Sequence, residues 1–390
     1  MSTDGQPPRD LTAEELARQQ SSYSDPDIRI FRDPAHIRMN PGMYIGNVRT
    51  EGLHAMLLGI VGEFLGSVGP HAGRTLAVTL HPDGSVQVAD SFPRADFRGT
   101  RSLTEAFRET FWLPGWPWLQ SASANALSEW CEVEADHAGH RHRQKYDRGQ
   151  PTGDGGIVGP ARGEGLTISF RPDASVFESV QFHPDIIRER LREYAFLNAG
   201  VRFTLTDNVT GTIEVFEFAG GVADFVRWLN VGSQHLHPGV LFTRGEVGDV
   251  RYEVAMQWCR TDETIERLYV NDRIAPLGGT PITGIRTGVT RVVNAFIRNY
   301  LPDAAPAKGS NVRNGLTAVV SVRMTDPWFE GATRSRLGNH EAEGILAAAV
   351  SELLRREFAA NPAVAEQVAW AAIADAEAEA VEKRRRKKKP

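Results

Sequence analysis

The chain has 390 residues, of which 41% are hydrophobic and 24% charged, so its composition excludes a wholly disordered chain and its length indicates two or three domains. Its formal net charge is −5, but seven consecutive basic residues run from Lys383 to Lys389, and the other residues, 37 basic and 49 acidic, carry −12. The acidic body excludes a broad electrostatic surface for duplex DNA, and only the basic tail is expected to contact nucleic acid, weakly and non-specifically.

The cysteines and the hydropathy pattern indicate where the protein resides. Cys131 and Cys259 lack CxxC spacing, which excludes a disulfide framework and a cysteine zinc site. No uninterrupted apolar stretch reaches the roughly 18 to 20 residues that a membrane span needs, and the polar, acidic N-terminus is unlike a signal peptide. We therefore expect a cytoplasmic protein without membrane contact.

The first half of the chain alternates between helical and strand-like patterns. Residues 1–26 are polar and predict a flexible arm. The patterns that follow predict a helix from Gly52, a hairpin about Asp83, strands over 129–147 and 166–170, and a helix over 184–198. This order is typical of an α+β domain, which we place at residues 27–218.

The pattern restarts near Gly220 and predicts a second domain. In chain order it contains a short helix (ADFVRWLN), strands (VLFTRG, VRYEVAMQW and IERLYVND), a long amphipathic helix and a further strand (GLTAVVSVRM). An Ala- and Glu-rich helical pattern then runs from Glu343 to Glu382 with a break at Pro362. These patterns predict a β-α domain over residues 219–345 and an exit helix with the basic tail over residues 346–390.

Several strings, taken in order, carry a resemblance to a known family. They are NPGMYIGN, GLHAM, FRPDASVFESVQF, RERLREYAFLNAGVRFTLTD, GGTPITGIRTGVTRVVN, VRNGLTAVVSVRMTDPWFEG and RSRLGN. Over about residues 22–386 they resemble the ATPase-plus-transducer N-terminal half of the gyrase B and topoisomerase IV B proteins, which are type IIA topoisomerase subunits. The resemblance implies an α/β sandwich of the gyrase, Hsp90, histidine kinase and MutL type, then a transducer β-α domain and a long C-terminal helix. No string matches the cleavage domain of such subunits, so we expect no DNA cleavage by this chain.

The resemblance places the ATPase centre on the first core helix. In that family a glutamate there activates the attacking water, and an asparagine one turn later holds Mg²⁺ against the phosphates. In GLHAMLLGIVGEFLG these two positions are Gly59 and Glu63. The general base is therefore replaced, and a substitute base at Glu63 would be displaced by one helical turn, about 5.4 Å.

The positions that the resemblance assigns to adenine are partly altered. It implies that Asp90 accepts the adenine amino group and that glycines after it let the ring approach the backbone, but those glycine positions hold Phe92 and Arg94. Gly165 matches a glycine that is kept, whereas the threonine after it is Leu166. The alternative interpretation of Asp90 is that it only ends a strand and begins a turn.

A glycine-rich lid wraps the phosphates in this family through its backbone amides. The matching segment here is PGWPWLQ, in which two lid glycines are replaced by Trp118 and Gln120 and the prolines remove or restrict backbone donors. Trp112, Trp116 and Trp118 could line a pocket for a planar or apolar ligand, or fill the former nucleotide cavity as core.

Three further positions follow from the resemblance. Arg143 matches a basic residue at the mouth of the nucleotide pocket, with a solvated strand arginine as the alternative. Arg334 stands where a transducer lysine reaches the γ-phosphate, and its planar guanidinium is not equivalent to an ammonium group. Tyr23 stands near the place of the arm tyrosine that enters the partner's pocket in family dimers.

The replacements concentrate in the ATP site, whereas the strings typical of the core are kept. This predicts a non-catalytic relative that acts by protein binding, as a homodimer or with a type IIA topoisomerase subunit. We expect no metal site, and ATP with Mg²⁺ is a doubtful cofactor for such a degenerate pocket. Two alternatives stay open: a scaffold redirected to bind or transform a small molecule in a tryptophan-lined pocket, as in biosynthesis or self-resistance, and an active ATP-binding subunit with Glu63 as base.

Overall fold

The computed structural model describes residues 34–68, 73–92, 119–331 and 334–387. The helices are α1 (Ala35–Met39), α2 (Gly42–Ile45), α3 (Thr50–Val68), α4 (Leu119–Ala126), α5 (Pro184–Leu197), α6 (Val222–Leu229), α7 (Thr280–Tyr300), α8 (Gly309–Arg313), α9 (His340–Ala360) and α10 (Pro362–Lys387). The strands are β1 (Thr75–Leu80), β2 (Val86–Asp90), β3 (Ser128–His137), β4 (His140–Asp147), β5 (Gln150–Pro160), β6 (Gly165–Pro172), β7 (Arg202–Asp207), β8 (Thr212–Phe216), β9 (Leu241–Val247), β10 (Val250–Trp258), β11 (Ile265–Val270), β12 (Arg273–Ile274) and β13 (Leu316–Arg323). Helices combined with two separate sheets confirm the predicted α+β class.

The first half of the chain forms an eight-stranded sheet in the order β5-β4-β3-β6-β2-β1-β7-β8. Neighbouring strands are antiparallel except β1 and β7, which run parallel. Buried and half-buried side chains alternate along β1 and β2, so one face of the sheet is apolar and packs against α3, α4 and α5. The opposite face carries polar side chains such as Gln87 and Ser169, whose Nε2 and Oγ atoms lie 3.2 Å apart.

Helix α3 lies at the centre of the helical layer because its apolar residues recur at helical spacing. Leu57, Ile60 and Phe64 are fully buried against the sheet. The same helix carries Gly59 and Glu63, which point towards α4. Packing of the hydrophobic core therefore fixes the height and rotation at which these two positions are presented.

The second half forms a five-stranded sheet in the order β12-β11-β13-β10-β9. Helices α7, α9 and α10 cover one face, and α6 covers the other. Seven of the eight residues of β13 are buried, as expected for a strand that is covered on both faces. Helices α9 and α10 meet at Pro362, where the sequence predicted a break. The boundary predicted at residue 218 lies between the two sheets, and the one at 345 lies inside α9.

The two sheets are joined by apolar packing at the C-terminal end of α5. Phe196 stacks on Phe225 of α6, with ring centroids 4.7 Å apart. Both rings belong to a small core that also contains Ala255 of β10 and Val319 of β13. The helical layer of the first sheet and the second sheet therefore share buried side chains.

Beside this core, Asp272 forms a buried polar joint between the two halves. Its Oδ1 accepts hydrogen bonds from Arg323 Nη2 at 2.9 Å and from Asn198 Nδ2 at 3.3 Å. Arg190 of α5 donates to the Asp272 backbone oxygen at 2.7 Å. Burial raises the pKa of the Asp272 carboxyl, and the neighbouring Arg323 opposes that shift. The joint thus combines apolar contact with a buried network of charges and hydrogen bonds.

Among the described residues, no helix combines the length and the apolar character that crossing a membrane requires.

Helices α7 and α9 cross at unusually short range. A Cβ atom on Gly284 would lie 2.3 Å from the Glu343 backbone oxygen, and one on Gly288 would lie 2.8 Å from the Ala347 backbone oxygen. Non-bonded atoms in a packed interior do not approach this closely, so the crossing requires glycine at both positions.

We expect Gly284→Ala to destabilise the fold by about 1 to 3 kcal/mol, because the added methyl group must push α7 and α9 apart. The matched control is Gly344→Ala in α9, whose Cβ would meet nothing within 4 Å. That variant should stabilise the protein by about 0.5 to 1 kcal/mol, because it removes backbone freedom from the unfolded chain. Urea unfolding of both variants measures the difference, and equal effects would contradict the close crossing.

Candidate functional site

Asp90, at the end of β2, forms a fully buried ion pair with Arg74. Arg74 Nε donates to Asp90 Oδ1 at 2.9 Å, Arg74 Nη2 donates to Oδ2 at 2.6 Å, and both side chains have 0% exposure. Bidentate pairing of this kind is among the strongest side-chain hydrogen-bond arrangements. The carboxylate that the resemblance assigns to adenine therefore binds a guanidinium group of the same chain.

Further contacts hold the guanidinium in place. Arg74 Nη2 also donates to the Phe64 backbone oxygen on α3. The Phe92 backbone N–H donates to Asp90 Oδ1 at 3.2 Å, and the centre of the Phe92 ring lies 5.6 Å from Arg74 Cζ, within cation–π distance. The ion pair therefore ties α3 to the end of β2, with Phe92 packed beside it.

Gly165 lies directly against Asp90, but through the backbone. Its φ is +155°, and a Cβ atom there would lie 2.2 Å from the Asp90 backbone oxygen. Only glycine permits this approach. The structure therefore brings two of the predicted pocket residues together, and the contact serves the pairing of β2 with β6.

Glu63 on α3 caps the N-terminus of α4. Its carboxylate accepts hydrogen bonds from the Gln120 backbone N–H, from the Ser121 backbone N–H at 2.9 Å and from the Ser121 hydroxyl at 2.7 Å. Helix α4 begins at Leu119, so these are first-turn amides that lack an acceptor within the helix. The negative charge also complements the positive end of the helix dipole. The one catalytic candidate is thus engaged in holding α4.

Gly59, where the resemblance places the general base of the family, faces the side chain of Gln120. A Cβ atom on Gly59 would lie 2.6 Å from Gln120 Cγ and 2.9 Å from Gln120 Oε1. A glutamate at position 59 would need the volume that Gln120 occupies. The small residue on α3 and the long side chain on α4 are therefore complementary in volume.

Arg143 lies on the opposite face of the sheet from Asp90. Residues that stand opposite each other in antiparallel strands share a face, and Arg143 stands opposite Glu134. Glu134 stands opposite Thr167, whereas Asp90 stands opposite the next residue, Leu166. Arg143 Nη2 donates to Glu134 Oε1 at 2.6 Å, and this contact raises the pKa of the guanidinium. The structure thus places Arg143 in an ion pair away from the other candidates.

The remaining candidates are exposed or lie outside the described part of the chain. Arg334 is exposed in the loop between β13 and α9, with a φ of +52°. Tyr23, Trp112, Trp116 and Trp118 lie outside the described residues. Within the ranges that the structure describes, no group of three or more His, Cys, Asp or Glu side chains could hold a metal ion.

The basic tail begins as a continuation of α10. Lys383 pairs with Glu379 one turn earlier, and Arg386 pairs with Glu382 in the same way. The Glu379 carboxylate also lies 2.8 Å from Lys308 Nζ. Hydrogen bonds from Lys308 and Lys383 lower the pKa of the Glu379 carboxyl to about 2. The first basic residues therefore take part in helical charge pairing.

Sequence reasoning did not identify Arg74 or Ser121. Arg74 precedes an apolar strand by one residue, and a charged residue in that place is usually solvated. Ser121 lies near the start of a helix, and its partner Glu63 is 58 positions away in the chain. A helix beginning without a capping residue of its own is the one local signal that could have suggested a distant acid.

Comparison with known proteins agrees with this architecture. The family described as DNA gyrase B matches residues 221–389. The gyrase B protein of Thermotoga maritima is 33% identical over 367 residues, which cover 87% of this chain. The crystal structure of the 43K ATPase domain of Thermus thermophilus gyrase B, in complex with an aminocoumarin, is similar with a TM-score of 0.81 and 30% identity, over 92% of this chain and 99% of that one. The chain belongs to the DNA gyrase B family.

The match covers only part of the full-length DNA gyrase B relatives. The chain spans 57% of the length of the gyrase B proteins from Thermotoga maritima and Archaeoglobus fulgidus, the latter also 33% identical. The gyrase B structure from Myxococcus xanthus, with a TM-score of 0.74 and 24% identity, supports the fold alone. These comparisons confirm the expected resemblance to the N-terminal half of a gyrase B protein.

We expect Arg74→Met to destabilise the protein by about 3 to 5 kcal/mol, because it leaves the buried Asp90 carboxylate without its charge partner. Arg74→Lys keeps the charge but loses the bidentate fork, and it should fall between Arg74→Met and the wild type. The matched control is Arg251→Met, which breaks the exposed pair with Glu246 at 2.8 Å and should change stability by less than about 1 kcal/mol. Denaturant unfolding ranks the three variants, and an Arg74→Met protein as stable as the control would contradict a buried ion pair.

Proposed function

We propose that this DNA gyrase B family member does not turn over ATP and acts by binding a partner protein. The observation that carries the proposal is that protein groups engage three positions at which the family handles nucleotide. Arg74 forms an ion pair with the Asp90 carboxylate. Glu63 accepts hydrogen bonds from the first backbone amides of α4. The Gln120 side chain occupies the space next to Gly59.

Each of these contacts works against the chemistry of an ATPase. The Asp90 carboxylate is paired with Arg74 and has 0% exposure, so an adenine amino group could reach it only if the packing around the ion pair opened. A carboxylate at position 63 that accepts three hydrogen bonds is not placed to take a proton from an attacking water. As they stand, the residues present do not fit ATP with Mg²⁺ bound in the manner of the family, so we derive no catalytic step.

Protein binding is the function that the remaining features support. The core of the first sheet, the second sheet with its helices, and the joint through α5 are all closely packed. A scaffold that is closely packed, while its own side chains occupy the positions at which the family handles nucleotide, is suited to contacting other proteins. We propose a homodimer, or a heterodimer with a type IIA topoisomerase subunit in the cytoplasm, as the bound state.

The first test is calorimetric titration of the full chain with Mg²⁺ and a non-hydrolysable ATP analogue. We expect no saturable binding up to millimolar concentrations, because the Glu63 contacts with α4 must break and the buried Asp90 carboxylate must become accessible before a nucleotide can bind in the manner of the family. The 43K ATPase domain of Thermus thermophilus gyrase B, titrated in parallel, is the positive control. Saturation near one site per chain would overturn the non-catalytic part of the proposal.

The second test is sedimentation of the chain alone and mixed with a full-length gyrase B protein, with and without the analogue. We expect a homodimer or a mixed dimer whose population does not change with nucleotide. If the chain sediments as a monomer under all four conditions, the protein-binding part of the proposal is wrong. A dimer that forms only with nucleotide would restore an active, nucleotide-gated protein.

A further inference from the structure

The eight-stranded sheet ends in two edge strands, β5 and β8, and the two edges differ. An edge strand presents backbone N–H and C=O groups to which another strand can add. Strand β5 has a shifted register against β4 at two points, and it contains prolines and positive-φ glycines that hinder strand addition, namely Pro151, Pro160, Gly153, Gly155 and Gly156. Strand β8 contains no proline or glycine and pairs with β7 in an unbroken register. The β8 edge is therefore regular and open to pairing.

Strand β8 also exposes two β-branched side chains beside this edge. Glu214, at the middle of the strand, stands opposite Leu205 of the core, so its neighbours Ile213 and Val215 point to the other, polar face of the sheet. Ile213 is 68% exposed and Val215 is 56% exposed. A regular edge strand with large apolar side chains in water is the kind of surface at which a further strand adds.

The sequence of β8 makes this edge complementary to itself. Its order apolar, charged, apolar about Glu214 reads the same in both directions. In an antiparallel pair of two β8 strands centred on Glu214, Ile213 of each copy stands opposite Val215 of the other, and cross-strand pairs of this kind stabilise sheets. Such a two-fold contact uses the same surface on both copies and is closed by two of them.

The charge at the centre of this pairing is already compensated. Two carboxylates directly opposite each other would disfavour the contact. Arg188 of α5, however, donates from Nε to both oxygens of Glu214, at 2.7 and 2.8 Å. Arg188 also pairs with Asp185, which is 87% exposed and therefore screened by solvent. Each copy thus brings a guanidinium together with its carboxylate to the two-fold axis.

We propose that β8 is a self-association interface, at which a second copy of this chain adds its own β8 antiparallel about Glu214 and joins the two eight-stranded sheets into one. The inference deepens the proposed function by giving the homodimer an interface, and it rests on that proposal for the existence of a homodimer. The contact involves neither Glu63 nor Arg74, so it does not depend on whether nucleotide binds.

The first test is sedimentation of the full chain with a lysine placed beside the axis. We expect Ile213→Lys to weaken the dimer about tenfold or more, because two ammonium groups would enter the contact while the monomer keeps an exposed side chain at that position. The matched control is Ile157→Lys, which replaces a 60% exposed isoleucine on the opposite edge strand, β5, and should sediment as the wild type does. Equal dimerisation by Ile213→Lys and the wild type would contradict the proposed interface.

The second test uses introduced thiols to read the register. Ile213→Cys chains mixed with Val215→Cys chains should form disulfide-linked dimers under mild oxidation, because Cβ atoms directly opposite each other lie about 4.5 to 5.5 Å apart. Either variant alone should crosslink far less, because identical positions are then diagonal neighbours about 7 to 8 Å apart. The natural cysteines, Cys131 and Cys259, are buried and give little background. Equal crosslinking in the mixture and in each variant alone would mean random collision and would overturn the register.

The outcomes separate this inference from the proposed function. If the wild type dimerises, Ile213→Lys dimerises equally well and the thiol mixture gives no specific crosslink, this inference alone is wrong. A chain that stays monomeric by itself but binds a gyrase B protein would likewise overturn the inference and leave the proposed function standing. Saturable binding of the ATP analogue by a dimer that Ile213→Lys disrupts would overturn the non-catalytic function alone. If Ile213→Lys does not fold, the thiol mixture decides the question.

Discussion

The arrangement of the first domain depends on the buried contact between Arg74 and Asp90. The guanidinium reaches three places at once: both oxygens of the Asp90 carboxylate and the Phe64 backbone oxygen of α3. Burying two charges is costly, and such a pair is weak evidence for high stability. What it provides is a link between two elements, because the same guanidinium contacts the α3 backbone and the carboxylate at the end of β2.

The altered positions of the site form a consistent set. Here the small residue Gly59 faces the long side chain of Gln120, and the carboxylate of Glu63 faces the amide and hydroxyl of Ser121. These partners match in volume and in hydrogen bonding, so α3 and α4 fit each other at these positions.

The fold was largely predictable from the sequence, whereas the chemistry of the site was only partly so. Periodic apolar residues such as Leu57 and Phe64 predict α3, and Pro362 predicts the break before α10, because these signals are local. Resemblance identified Asp90 and Glu63, but their partners Arg74 and Ser121 lie 16 and 58 positions away in the chain, so both pairings depend on tertiary contacts. The face on which Arg143 lies could have been deduced, because the tight turn at residues 138–139 sets Glu134 opposite it.

Helix α5 connects the first domain, which contains the site, to the second domain. Helix α5 packs on the first sheet and also supplies Phe196 and Asn198 to the joint, where Asn198 meets Asp272. Glu63 ties α3 to α4, Arg74 ties α3 to β2, and Asp272 ties the end of α5 to the second sheet. A signal from the site to the second sheet would therefore have to pass through these contacts and through the packed elements that they connect.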